Sequence, residues 1–174
     1  VSSGLAVGSA KDNASIWAIA QGQRQSINSL GAVKSSLDRA SSISDVALSA
    51  GQTISDLLNQ IKAKVVAAQE SSLDTVSRAS INEDFKSLVK QLGDVVHNAA
   101  FDGANVLDGS QASDIRFLAN ADASSYLTLS TQNMTLSGSI ITLPTAGDIG
   151  SPATASAMMA MVQTSITNVN TALG

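Results

Sequence analysis

The chain has 174 residues, enough for one domain, and 44% of them are hydrophobic, enough for a folded core. Its net charge of −4 supplies no basic stripe, which argues against nucleic-acid and anionic-membrane partners, and the absence of cysteine excludes disulfides and thiolate metal sites. Aromatics are only 3%, so a compact globule would lack bulky filler, whereas helices packed through Leu, Ile, Val and Ala would not need it.

Residues 1–12 (VSSGLAVGSAKD) read as an extended or looped entry, with Asp12 or Ser9 able to cap the helix that follows. From Asn13 to Gln69 neither Pro nor a loop cluster interrupts the chain. A row of mostly apolar or small residues recurs every three or four positions: Ile16, Ile19, Gln23, Ile27, Leu30, Val33, Leu37 and Ala40, then Ser44, Ala47, Gly51, Ile54, Leu58, Ile61, Val65 and Ala68. That is a heptad seam. A helix of about 57 residues would be about 85 Å long, which points to a rod. Gly22, Gly31 and Gly51 mark places where it could bend.

Beside the seam runs a second row, Ile43, Val46, Ala50 and Leu57. A broad apolar face packs against more than one neighbour. The row is therefore a candidate subunit-packing surface, with burial inside the same bundle equally open.

Residues 70–74 (ESSLD) form a short turn, with Asp74 as N-cap of a second helix over Thr75–Ala99. Ser80 and Glu83 also have capping-box spacing, which would start the helix near Ile81. Its seam reads Ile81, Phe85, Leu88, Leu92, Val95, Ala99. The short turn makes the two helices antiparallel neighbours.

Character changes over 100–150. Asp102-Gly103 and Asp108-Gly109 are turn signals, and alternation in Tyr126–Leu129 and Ile140–Leu143 predicts half-buried strands in small hairpins. Pro144 and Pro152 bracket a loop. A third helix follows over Ala153–Leu173, with the seam Ala155, Met158, Val162, Ile166, Val169, Leu173. The fold class expected is mainly α with a small β lobe: an elongated bundle of three long helices in one domain, 1–174. Within it, 1–99 carries the first two helices, 100–150 the hairpins and 151–174 the last helix.

Chemistry is sparse. His97 is the sole histidine, so no tetrahedral zinc set exists and any Ser-His-Asp triad would need it. Glu83 and Asp84 read as a solvated helix face. Asp102, Asp108, Asp114 and Asp122 lack the alternation of an ion-binding loop and read as turn residues. Met158, Met159 and Met161 read as helix packing. No catalytic, cofactor-binding or metal residue is assigned, and no enzyme is expected.

Two stretches are more specific. Val1-Ser2-Ser3-Gly4-Leu5, Ser9-Ala10-Lys11-Asp12-Asn13-Ala14 and Ala18-Ile19-Ala20 resemble the pattern SSGL…SAKDDAA…AIA of bacterial flagellins. Ala100-Phe101-Asp102-Gly103-Ala104-Asn105-Val106-Leu107-Asp108-Gly109 is similar to the flagellin FNGxxVLDG turn. They stand in the right order, separated by two seam-bearing helices, and the resemblance covers roughly 1–109. Residues 110–150 sit where flagellins carry their variable insert. The SIWAIA environment of Trp17 and the acidic, Cys-free composition resemble short alphaproteobacterial flagellins.

The resemblance implies a D1-like core and a structural subunit of the extracellular flagellar filament. Its partners would be other flagellin subunits and, for the full-length chain, the export apparatus and a chaperone. The terminal segments that polymerise and export a flagellin are expected to lie outside this stretch, which should leave the stretch itself monomeric. Flagellins sensed by the flagellin-binding Toll-like receptor carry arginines where this chain has Ile61-Lys62-Ala63-Lys64-Val65-Val66-Ala67, which implies weak activation of that receptor. A hook–filament junction protein and a glycan-binding adhesin on the same scaffold are the alternatives. The adhesin would need an exposed aromatic platform, for which Tyr126 and Phe117 are the candidates.

Overall fold

The computed structural model describes residues 13–174. The fold is mainly helical, with three helices and two small hairpins in the order α1 (Ala14–Ala68), α2 (Thr75–Asn98), β1 (Ala100–Phe101), β2 (Ala104–Asn105), β3 (Ile115–Leu118), β4 (Tyr126–Leu129) and α3 (Pro152–Leu173). The chain divides into two compact units, Val1–Ser41 with Arg116–Leu129, and Ser42–Ile115 with Ser130–Gly174.

The caps proposed at Ser9 and Asp12 lie outside the described residues. Within them, the Asn13 side chain accepts from the Ile16 N–H at 3.1 Å, the geometry of an N-cap. The helix continues through Gly22, Gly31 and Gly51 without a break. Asp74 caps α2 by accepting from the Val76 and Ser77 N–H groups, so the later start at Ser80 is not used. Ser151 and Thr154 form a capping box at α3, with Pro152 in the first turn where its missing N–H costs nothing.

The larger unit holds most of the core. The seam residues Ile54, Leu58, Ile61, Val65 and Ala68 of α1 are fully buried there. The buried α2 stripe runs Asn82, Phe85, Val89, Leu92 and Val96, which shifts the expected seam by one residue at three positions, Ile81, Leu88 and Val95. Leu88 and Val95 are only half-buried. Both positions are apolar in sequence, so periodicity alone cannot choose between them. From α3 come Ala155, Met158, Val162, Ser165 and Val169. A Cβ added to Gly51 would lie 2.4 Å from Leu173 Cδ2, so the leucine tip packs directly on the glycine here.

Ile140–Leu143 is not a strand. Its backbone is used locally and by α3 instead. Ser137 N–H donates to the Leu143 carbonyl and Gly138 N–H to the Ile141 carbonyl. Thr142 N–H donates to Ser165 Oγ at 3.0 Å, and Asn168 donates to the Ser139 and Ile140 carbonyls. Alternation survives in burial, since Ile141 and Leu143 are fully buried, but the partner is a helix face rather than a strand.

In the smaller unit fewer of the described residues are buried. Val33, Ala40 and Phe117 are its buried apolar residues, and Ser36 Oγ accepts the Leu118 N–H at 2.9 Å, tying β3 to α1. The rest of the seam there faces outward. Ile16, Ile19, Ile27 and Leu30 are 52%, 60%, 66% and 57% exposed.

Candidate assembly surfaces

Three buried polar side chains set the shape of the larger unit. Arg78 donates to the Ala68 and Glu70 carbonyls, so a guanidinium closes the C-terminus of α1 where free carbonyls and the negative end of the helix dipole meet. Asn105 donates to the Val96 and His97 carbonyls and accepts the Leu107 N–H, which does the same for α2. Asn82 donates to Asp148 and accepts the Ile149 N–H, which fixes the loop before α3. None of these roles follows from periodicity. Asn105 alone had a signal, its place in the FDGANVLDG turn.

That turn is built as the sequence asks. Ala100 pairs with Asn105 and Phe101 with Ala104. The connecting Asp102 and Gly103 have φ of 49° and 75°, the pattern of a type I′ hairpin. Gly109 also has positive φ, 71°, and packs on the Asn133 side chain.

The second row of α1 is divided. Ile43 and Leu57 are buried in the larger unit, at 2% and 7% exposure. Val46 and Ala50 are half-exposed. They line a shallow groove of about 460 Å³, together with Asp45, Ser49 and Thr53 of α1 and Val95, Asn98 and Ala99 of α2. Apolar Val46, Ala50, Val95 and Ala99 make its floor.

The charged residues singled out in sequence take surface and turn roles. Asp84 pairs with Lys64 at 2.7 Å and Glu83 with Lys86 at 2.9 Å. Asp108 accepts the Ser110 N–H, Asp114 the Thr131 N–H and Asp122 the Ser124 N–H. His97 is exposed in the last turn of α2. Met158 is buried and Met161 exposed. Among the described residues no three His, Cys, Asp or Glu side chains cluster, and no helix is long and apolar enough to cross a membrane. Phe117 is buried, not exposed. Tyr126 is exposed, but Arg116 already covers one face of its ring at 4.1 Å from the centroid. The aromatic platform therefore shrinks to half of one ring.

Capped helices, polar pegs and outward apolar rows define a helix-packing structural module. The family profile described as the bacterial flagellin N-terminal helical region matches residues 1–112. The chain belongs to the bacterial flagellin family. It is 39% identical to the Caulobacter vibrioides flagellin FljJ over 176 aligned residues, covering 100% of this chain and 62% of that one. It is 41% identical to flagellin FljO of the same organism, over 95% of this chain and 59% of that one. Rhizobium meliloti flagellin D is 32% identical over 86% of this chain and 38% of its own. The chain thus spans about three-fifths of the length of the two Caulobacter relatives. The crystal structure of Bacillus cereus flagellin shares the fold, with a TM-score of 0.65, 19% identity, and coverage of 77% of this chain and 76% of that one.

Proposed function

We infer that this chain is the core of a structural subunit of the bacterial flagellar filament, with an assembly role rather than a catalytic one. One observation carries the reading. The heptad row of α1 is buried through Ile54–Ala68, yet at Ile16, Ile19, Ile27 and Leu30 it lies more than half exposed. Four large aliphatic side chains on one helical row gain by leaving water, and each fully covered one contributes about 1.5–3 kcal/mol. A row of this kind is supplied for a further helix, in the same longer chain or in a neighbouring subunit.

The partners are other flagellin subunits, and the full-length chain uses the flagellar export apparatus and a chaperone to reach an extracellular filament. Of the second row on α1, Val46 and Ala50 are the members offered to a neighbour, while Ile43 and Leu57 support them from inside.

The test is complementation. The full-length protein should be secreted, assemble into filaments and restore swimming to a strain lacking its flagellins. Residues 1–174 alone should sediment as a monomer. Full-length protein that is retained in the cell, or that reaches the medium without forming filaments, would refute the reading.

A further inference from the structure

We draw no further inference here: the strongest candidate, the surface on either side of the turn between α1 and α2 where Val66 and Val76 are 54% and 79% exposed, carries none because nothing in the structure shows what covers it.

Discussion

The Asn82 side chain donates to Asp148 Oδ2 at 2.8 Å and accepts the Ile149 N–H at 2.8 Å, so one amide on α2 holds two consecutive residues of the loop before α3. Ile149 is fully buried. Asn82→Ala therefore leaves a buried N–H without an acceptor and should cost about 2 kcal/mol in urea unfolding. Asn82→Asp should be worse at pH 7 than at pH 4, because it sets a second carboxylate against Asp148.

Asp148 also contributes to acid stability. The Gly150 N–H, then the Asn82 amide and Lys86, hold its carboxyl below the usual range. Asp74 is lowered in the same direction by the Ser77 hydroxyl and N–H, and Asp122 by those of Ser124. A group with a folded pKa below its unfolded one stabilises fully above the unfolded value, about 3.9 for Asp, and loses this as pH falls through the folded value. Unfolding midpoints measured from pH 6 to 2 should fall below about pH 4. Asp148→Asn should flatten part of that limb, and an unchanged slope would count against the loop as an acid-sensitive point.

Glycine substitutions should separate by backbone and by space. Gly22 and Gly31 sit inside α1 with nothing within 4 Å of an added Cβ. Changing either to Ala should stabilise by about 0.5–1 kcal/mol, read as a higher Tm. Gly103→Ala meets nothing either, but its φ of 75° is strained for a residue with Cβ, so it should cost about 1 kcal/mol. Gly109→Ala combines positive φ with a contact 2.6 Å from Asn133 and should cost more than Gly103→Ala.

Removal of Arg78 should loosen one end of the helical pair. Arg78→Met keeps the stem but frees the Ala68 and Glu70 carbonyls that it now satisfies. Global stability should fall by about 2 kcal/mol. Amide exchange at Gln69–Leu73 should accelerate more than exchange at the far end of α2.

Much of this architecture is legible in the chain. Helix limits fall within a residue or two of expectation because Pro, Asp74 and the heptad row all agree on them. The FDG turn is legible because a type I′ turn needs positive φ at both central residues and Asp-Gly is among the pairs favoured there. Less visible is which apolar residue wins where two compete, as with Val89 over Leu88. Burial of Asn82, Asn105 and Ser165 is also hidden, since it depends on loops distant in sequence arriving to use their hydrogen bonds. Ile140–Leu143 alternates like a strand because Ile141 and Leu143 are buried between less buried neighbours, while Thr142 bonds to Ser165 and Met161 of α3 where a strand would bond to a strand. Of the candidate assembly row, Ile43, Val46, Ala50 and Leu57, only accessibility separates the inner pair from the outer one.

Residues 130–151 contain no regular structure, yet Met134, Ile141, Leu143 and Ile149 are fully buried. Their backbone is pinned by Ser165 and Asn168 on α3 and by Asn82 on α2. Aliphatic helix faces with near-repeating stripes can slide past one another by a turn at little loss of apolar contact. These polar pegs cannot. A displacement of one turn, about 5.4 Å, would tear each from its partner, so the irregular loop works as a vernier that admits one setting of α3 against α2.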